Sequence, residues 1–420
     1  MFKKTITFLL LLILSLLMFR CSKKVEVPKK EVFFLIRGTP DELALWKKAI
    51  ESFESENKDI KVKLEHVPYN AYWSKIETMI AGGVAPDVIF LESTRIVSFI
   101  KLNALESLDE YIKEDKEFNK ENFYPQAINA YIYDNKIYGI PNDIAIYAIY
   151  YNKDLFDKLG VKYPTSDWTW SDFLEKCKAL TIDENKDGIT DVYGFNIGWT
   201  YYLWIWQNGG DFFDNPTNPK KVIINSENSK EALQFLKDLM YRYKVAPTFA
   251  QSSSFGGAQE MFMTGRVAMI IEGHWMVPQF KNITTFKWDV AELPKGKIKA
   301  NYNTGSCFSI PKLAKNKNEA WRLIKFLAGE KGQKILISGG FSTPALKTEE
   351  ITKLFLNSTP PENNKVFIDM IKYSHLPPMI PEFNEMSDMM YRELDYLWLN
   401  KKNVDVVLKN IEKELKKFIK

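Results

Sequence analysis

The amino-acid sequence predicts an α/β protein of two lobes, and three observations support this prediction. First, a chain of 420 residues is longer than one ordinary hydrophobic core accommodates. Second, apolar strand patterns alternate with helical patterns from Glu31 to Leu91, which indicates β-α-β units and a parallel sheet. Third, a new set of strands and helices begins near Ile140, and no Pro/Ser-rich linker separates it from the first. Several crossing segments between two lobes would produce this pattern.

The first lobe is predicted as an alternation of strands (31–37, 60–67 and 87–91) and helices (41–56 and 72–81). Ligands of parallel α/β sheets bind beyond the carboxyl ends of the strands. This rule directs attention to Arg37 at the end of the first strand, to Thr39 just after it, and to Glu92 directly after the third strand.

The second set of elements begins with a strand over 145–151, followed by helices over 154–159 and 172–180. Further helical patterns follow to the C-terminus, where apolar residues alternate with lysines. The last segment is predicted as an amphipathic helix whose basic face is solvated.

The first 21 residues have the layout of an export signal. Lys3 and Lys4 precede an apolar stretch from Ile6 to Phe19, which at 14 residues is shorter than the roughly 20 that a spanning helix needs. We expect residues 1–20 to be a signal peptide and 21–30 a polar tether. Cys21 resembles the acylation site of bacterial lipoproteins, which predicts a lipid anchor. Arg20 stands where such sites have a small residue, so an uncleaved signal peptide and a different cleavage site remain alternatives.

Charge and composition exclude one class of partner and favour another. The formal net charge is +4, and the three basic residues of segment 1–20 account for all but one of these charges. This balance predicts no nucleic-acid partner. Aromatic residues make up 14% of the chain, with 11 Trp, which suits stacking on sugar rings as well as core packing. Cys177 and Cys307 are predicted to be buried free thiols.

One loop has the spacing of a calcium site. Oxygen side chains and a backbone carbonyl at positions 1, 3, 5, 7 and 9 with Gly at position 6 are typical of an EF-hand loop. The residues are Asp183, Asn185, Asp187, Ile189 and Asp191. Position 12 is Gly194 rather than the bidentate Glu, so a structural calcium ion and an Asx-rich loop remain alternatives.

Signals for an enzyme are weak. The chain has three histidines, and no two of them have the spacing of a metal-ligand pair. It has no G-x-S-x-G, P-loop or G-x-G-x-x-G motif after a strand. A glycosidase carboxylate pair stays open among 53 acidic residues, although we expect no enzyme and no cofactor beyond the calcium ion.

Several sequence blocks occur together in one order. They are AGGVAPDVIF (81–90), YYNKDLF within 140–181, YGF (193–195), NGGDFFD (208–214), FMTGRVAMIIEGHW (262–275), DVAELPKG (289–296) and EAWRLIKFLAGEKGQ (319–333). The chain thereby resembles the extracellular solute-binding proteins of ABC sugar importers, the family that includes maltose-binding protein.

This resemblance implies a two-lobed, periplasmic-binding-protein-like fold of type II with the ligand in a cleft between the lobes. The N-terminal lobe would comprise 31–140 plus about 300–340, and the C-terminal lobe 141–299 plus about 345–420. It further implies a monomeric receptor that closes around a mono- or oligosaccharide and delivers it to the transmembrane subunits of an ABC permease. Such a receptor is extracytoplasmic, either tethered to the membrane through Cys21 or periplasmic.

Chemistry and position suggest which residues bind the sugar. Aromatic faces stack against ring C–H groups, and planar polar side chains take the hydroxyls. Trp275 is the first choice for a stacking platform, and Glu92 and Asp143 are candidate hydroxyl acceptors. The dense aromatic patch formed by Trp199, Tyr201, Trp204 and Trp206 is expected to send one or two rings into the cleft. Besides Trp199, Tyr201 and Trp204 of this patch, the remaining candidates are Arg37, Thr39, Asn303, Gly305 and Glu382.

Two rival functions remain open. One is a receptor of the same fold for another polar solute, such as glycerol phosphate or a peptide. A phosphate ligand calls for several basic residues in the cleft, and the chain has only seven Arg. The other rival is an extracellular enzyme that degrades carbohydrates.

Overall fold

The computed structural model describes residues 29–419, so the predicted signal peptide, most of the tether and Cys21 lie outside the described residues. The strands in chain order are β1 Lys30–Arg37, β2 Ile60–Val67, β3 Val88–Glu92, β4 Ile132–Tyr133, β5 Lys136–Ile137, β6 Ile140–Pro141, β7 Tyr147–Asn152, β8 Tyr193–Asn196, β9 Val267–Gly273, β10 Trp288–Ala291, β11 Asn301–Tyr302, β12 Ser306–Ser309 and β13 Ser374–His375.

Helices cover the sheets and connect their strands. In chain order they are α1 Pro40–Glu56, α2 Tyr69–Ala81, α3 Ser93–Lys101, α4 Asp109–Glu114, α5 Pro125–Asn129, α6 Lys153–Lys158, α7 Trp170–Ala179, α8 Tyr201–Gln207, α9 Glu227–Tyr241, α10 Phe249–Ser254, α11 Ala258–Met263, α12 Val277–Phe280, α13 Lys317–Ala328, α14 Glu330–Ile337, α15 Glu349–Leu356, α16 Lys365–Asp369, α17 Phe383–Trp398 and α18 Val404–Leu415. No helix within residues 29–419 is long and apolar enough to cross a membrane.

The sheet of the first lobe has the strand order β2-β1-β3-β12-β6. Strand β1 runs parallel to both β2 and β3, as the β-α-β pattern predicts, whereas β12 is antiparallel to β3 and β6. Strand β12 enters this sheet after the chain has passed through the second lobe. The carboxyl ends of β1 and β3 therefore meet at one edge, and that edge faces the second lobe.

The sheet of the second lobe has the order β10-β7-β9-β8. Every residue of β7 and β9 is buried, which explains why neither strand alternates between apolar and polar residues. Asn152 and Glu272, near the ends of these strands, are the polar exceptions. Helices α7, α8, α9 and α12 belong to this lobe, and their buried side chains contribute to its core, among them Phe173, Trp204 and Phe280.

The chain crosses between the two sheets in three neighbouring segments. The first is 142–146, which leads from β6 to β7, and the second is 292–305, which leads from β10 to β12. The third is 338–348, which leads from α14 to α15. Ala145 N–H donates to Thr304 O of the second segment at 2.7 Å, and Ile144 N–H donates to Thr343 O of the third at 3.1 Å. These hydrogen bonds hold the three crossings side by side at the floor of the space between the lobes.

The start of α1 shows how local sequence shapes this edge of the first lobe. Thr39 Oγ1 accepts from Glu42 N–H at 3.3 Å, and Glu42 Oε2 accepts from Thr39 N–H at 2.6 Å, which completes a capping box. The helix then buries the stripe Trp46, Ala49, Ile50 and Phe53 against the sheet. The cap ends β1 at Arg37 and leaves that side chain at the sheet edge.

The two described cysteines, Cys177 and Cys307, are buried free thiols, which confirms the prediction. Their burial raises the pKa of both thiols.

Candidate functional site

A cavity of about 690 Å³ lies between the two sheets. The first lobe, the crossing segments and the second lobe each contribute part of its wall. The residues that line it include Gly305 and the polar or aromatic residues Arg37, Thr39, Tyr69, Glu92, Arg95, Asp143, Tyr147, Trp199, Tyr201, Tyr202, Trp206, Trp275, Tyr302, Thr343 and Tyr391. The cavity is within the range of about 300–1,000 Å³ that is typical of small-molecule sites.

The wall on the first lobe carries an ion pair. Arg37 and Glu92 end adjacent strands, and the guanidinium Nη2 bonds to the carboxylate Oε1. Tyr69 Oη also donates to this carboxylate, at 3.0 Å, and the Tyr69 ring centroid lies 4.5 Å from the guanidinium carbon. The two charges neutralise each other, and the pair presents oriented donors and acceptors to the cavity.

Asp143 lies on the first crossing segment. Its carboxylate accepts from Ser306 N–H at 2.8 Å, Ser306 Oγ at 2.7 Å and Asn142 Nδ2 at 3.0 Å. Burial raises the pKa of Asp143, and the hydrogen bonds from Ser306 and Asn142 act in the opposite direction. The contacts fix the carboxylate between β12 and the crossing.

The second lobe provides an aromatic wall centred on Tyr147, the first residue of β7. The centroid of the Tyr147 ring lies 5.1 Å from that of Trp275, and the two ring planes meet edge-to-face at 82°. The Trp199 ring centroid lies 5.5 Å from that of Tyr147, with an angle of 74° between the planes. The Tyr147 ring stacks with Tyr302 of the second crossing at 5.8 Å and 27°. Trp275 is half-buried at the end of β9, so its indole borders the cavity while its neighbours hold it in place.

Most of the predicted site residues come together in this cavity. Its lining includes Arg37, Thr39, Glu92, Asp143, Gly305, Trp199, Tyr201 and Trp275, and it also includes Trp206 of the predicted patch. Thr39 contributes from an exposed position, and its hydroxyl serves the capping box of α1.

Trp204 is placed elsewhere, because α8 turns it away from the cavity. Residues four apart share one face of a helix, so Tyr202 and Trp206 face the cavity while Trp204 faces the core. The Trp204 ring is fully buried, and its centroid lies 5.2 Å from the ring centroid of Phe173 and 5.8 Å from that of Phe195. The prediction for Trp204 is corrected accordingly.

Asn303 and Glu382 are also corrected, since neither belongs to the cavity lining. Asn303 is 2% exposed and donates from Nδ2 to Gln126 O at 2.7 Å, a contact that joins the second crossing to α5. Glu382 precedes the first turn of α17, and the cavity is bordered instead by its neighbours Phe383 and Asn384.

The sequence prediction missed Tyr69, Tyr147, Tyr202, Tyr302, Tyr391 and Thr343. A helical assignment for 201–207 would have paired Tyr202 with Trp206 at a spacing of four. The other five residues come from separate elements, and no local signal distinguishes them from core residues.

The predicted calcium loop contains a network of internal hydrogen bonds. Asp183 accepts from Asp187 N–H at 3.2 Å and Gly188 N–H at 2.9 Å. Asp187 accepts from Ile189 N–H at 2.7 Å, and Asp191 accepts from Glu184 N–H at 2.8 Å. Within residues 29–419, no three His, Cys, Asp or Glu side chains converge as they would around a metal ion. The calcium ion stays a prediction.

Comparison with known proteins decides the family. Residues 38–334 match the family model of bacterial extracellular solute-binding proteins. The chain belongs to this family. The solute-binding protein is similar to the ABC substrate-binding protein from Listeria monocytogenes in complex with cycloalternan, with 32% sequence identity and a TM-score of 0.84 over 93% of this chain and 98% of the other.

Two further relatives extend the comparison. The galactooligosaccharide-binding protein of Bacillus subtilis (strain 168) is 25% identical over 406 residues, which is 92% of this chain and 90% of the relative. The GacH receptor of Streptomyces glaucescens, solved unliganded and with acarbose, has a TM-score of 0.78 at 23% identity over 93% of this chain and 98% of the other. The predicted family and the two-lobed fold class are therefore confirmed. The family consists of extracellular binding proteins rather than enzymes.

Two buried titratable residues of the solute-binding protein flank Gly273 beside Trp275. Burial raises the pKa of Glu272 to about 7, although hydrogen bonds from the Gln259 and Trp275 side chains lower it in part. Burial lowers the pKa of His274 to about 4. The His274 ring nitrogens lie 2.8 Å from Gly340 O and 3.0 Å from Asn364 Oδ1.

These two shifts have opposite effects on stability between about pH 5 and 6. The folded protein keeps a proton on Glu272 that the unfolded chain releases, so the contribution of Glu272 to the free energy of unfolding decreases as pH rises. The unfolded chain binds a proton at His274 that the folded protein excludes, so the contribution of His274 to the free energy of unfolding decreases as pH falls. Of these two effects only that of His274 remains in Glu272→Gln, and the free energy of unfolding should fall about 1 kcal/mol further than in wild type from pH 6 to 5.

Urea unfolding at both pH values measures this difference. Glu260→Gln removes an exposed carboxylate of the same type and serves as the control. Equal pH dependence in Glu272→Gln and wild type would contradict the prediction.

Proposed function

We propose that this protein is the extracytoplasmic sugar receptor of an ABC importer and that its ligand is an uncharged oligosaccharide. The observation that carries the proposal is one cavity with an aromatic wall on one lobe and a neutralised ion pair on the other. Aromatic faces suit the C–H faces of sugar rings, and fixed carboxylates suit hydroxyl donors. The names of the relatives support a sugar, since one binds galactooligosaccharide and another was solved with cycloalternan.

The size of the cavity supports several linked sugar rings over one. Its volume of about 690 Å³ lies in the upper half of the range of about 300–1,000 Å³ that small-molecule sites span. Sites of this kind bury most of the surface of their ligand, so one ring would leave much of the aromatic wall without a partner. We therefore propose an oligosaccharide, with a monosaccharide as the alternative for the binding screen.

The charges around the cavity disfavour a phosphate ligand. Among the described lining residues, Arg37 is paired with Glu92, and the Arg95 guanidinium lies 4.2 Å from the Trp73 ring centroid. Glu42 and Asp143 add negative charge to the same lining. An anionic ligand would meet at least as many carboxylates as cations, which argues against glycerol phosphate.

We also propose that the receptor is not an enzyme. Glu92 is paired with Arg37 and bonded by Tyr69, and Asp143 accepts three hydrogen bonds from Ser306 and Asn142. These contacts hold both carboxylates as acceptors rather than as a proton donor and a nucleophile. Release of reducing ends from a glycan panel would contradict this part of the proposal.

The proposed mechanism is closure of the two lobes around the sugar. A ligand that contacts both walls binds the closed state better than the open one, and it shifts the population by that difference in affinity. The three crossing segments are the connections about which the lobes would rotate. The closed receptor would deliver the sugar to the transmembrane subunits of a permease, as a monomer tethered through Cys21.

A thermal-shift screen of mono-, di- and oligosaccharides tests the ligand class. A ligand at 100 times its Kd stabilises the folded protein by about 2.7 kcal/mol, which raises the melting temperature by several degrees. We expect the largest shift with neutral oligosaccharides and none with glycerol phosphate or short peptides. The proposal would be overturned if only phosphate esters raised the melting temperature, or if no sugar in the screen raised it.

A further inference from the structure

Gly273 ends strand β9, two residues before Trp275. Its backbone has φ −91° and ψ 177°, an extended conformation that any residue adopts. The position therefore does not require glycine for its backbone conformation. The neighbouring side chain provides a different reason for the absence of a Cβ atom.

The indole of Trp275 occupies the space that a side chain at Gly273 would take. A Cβ atom built on Gly273 would lie 1.9 Å from Cζ3, 2.2 Å from Cη2 and 2.3 Å from Cε3 of Trp275. Carbon atoms in contact are normally about 3.5–4.0 Å apart. A single methyl group at this position is thus incompatible with the present place of the ring.

The backbone of Gly273 has little freedom to relieve such a clash. Gly273 pairs with Tyr147 in the β7–β9 ladder, and its carbonyl accepts from Tyr150 Oη at 2.8 Å. Both tyrosines are buried in the second lobe. The atoms that clash belong to the six-membered ring of the Trp275 indole, which can turn about its side-chain bonds, so the indole would move rather than the strand.

Movement of the indole would also change its contact with the aromatic wall. The Tyr147 ring meets the indole edge-to-face at 5.1 Å and 82°. Tyr147 is therefore both the strand partner of Gly273 and the ring that borders Trp275. The absence of a side chain at Gly273 and the position of Tyr147 together determine where the indole faces the cavity.

We propose that Gly273 is a positioning residue for ligand binding, which lets Trp275 lie against the end of β9 and present its ring to the ligand. The inference rests on the proposed function, because it takes Trp275 as a platform for a sugar. Gly273 itself acts only through Trp275.

Gly273→Ala tests the inference, with the sugar that gives the largest thermal shift as the probe. We expect Kd, measured by titration calorimetry, to rise at least about tenfold, because the displaced ring no longer matches the ligand. Gly273→Ala added to Trp275→Ala should give the same Kd as Trp275→Ala alone, since the clashing atoms are absent. A non-additive double-mutant cycle of this kind is the signature of action through Trp275.

Gly305→Ala is a matched contrast at the same cavity. Its Cβ atom would lie 2.5 Å from the backbone oxygen of Asp143, which cannot rotate away, so it should lower stability in both backgrounds. If Gly273→Ala alone fails to fold, recovery of folding in the double variant with Trp275→Ala supports the clash, and failure of both overturns it.

Two other results overturn the inference while the proposed function stands. One is that the wild-type protein and the Gly273→Ala variant bind the sugar with the same Kd. The other is an equal loss of affinity from Gly273→Ala with and without Trp275. A wild-type protein that binds no sugar would instead refute the proposed function.

Discussion

Trp275→Ala is expected to weaken sugar binding at least about 30-fold while the protein stays folded. Central aromatic residues of binding sites commonly contribute about 2 kcal/mol or more when truncated to Ala, and each 1.4 kcal/mol is a factor of ten in Kd. Trp275 is half-buried against Tyr147, and it lines the cavity from the second lobe. Titration calorimetry of the variant with the sugar found in the screen measures the loss.

Trp170→Ala provides the control for the loss of a half-buried tryptophan. Trp170 lies outside the cavity lining and stacks on Phe235 at 4.8 Å and 11°. We expect Trp170→Ala to lower the free energy of unfolding and to leave Kd unchanged. Unchanged affinity in Trp275→Ala, or equal losses in the two variants, would remove Trp275 from the binding site.

Glu92→Ala is expected to destabilise the protein by about 3 kcal/mol and to weaken sugar binding. Removal of one partner from a largely buried ion pair leaves the other charge without compensation, which costs about 3–5 kcal/mol. The lower end applies because the side chains of Arg37 and Glu92 remain 15% and 21% exposed. Urea unfolding measures the stability, and calorimetry measures the affinity.

A double variant separates these two effects. Arg37→Met with Glu92→Leu replaces the pair by apolar side chains, which is often neutral for stability. We expect its stability to approach wild type while its affinity stays low, because the hydroxyl partners are gone. Glu110→Ala is the exposed control: Glu110 and Lys113 are 74% and 75% exposed, so the change should stay within about 0.5 kcal/mol. Wild-type affinity in the double variant would exclude the pair from the site.

Positions at strand ends could be predicted from the sequence. Arg37 and Glu92 directly follow or end apolar strands joined by helices, and parallel strands bring their carboxyl ends to one edge. The structure places both side chains in one cavity and in contact. Their mutual neutralisation was not predicted, because the distance between two side chains depends on the register of β1 and β3.

Aromatic residues were harder to assign. Trp204 and Tyr202 lie two positions apart in one patch, and the phase of α8 decides which of them faces the cavity. Tyr147 and Tyr302 belong to segments more than 150 residues apart, which the crossings bring together. Composition alone does not separate such residues from core aromatics.

The sequence by itself determined the family, the α/β class and the strand-end position of the site, because these follow from motif order and from local apolar periodicity. It also made Trp275 the first candidate for a stacking platform, through the strand that ends just before it. Only the tertiary structure decided that Tyr147, Tyr302 and Thr343 line the cavity, that Trp204, Asn303 and Glu382 do not, and that Gly273 leaves room for the indole. The physical reason is that these outcomes depend on distances between residues remote along the chain and on helical phase, which packing of the two lobes sets.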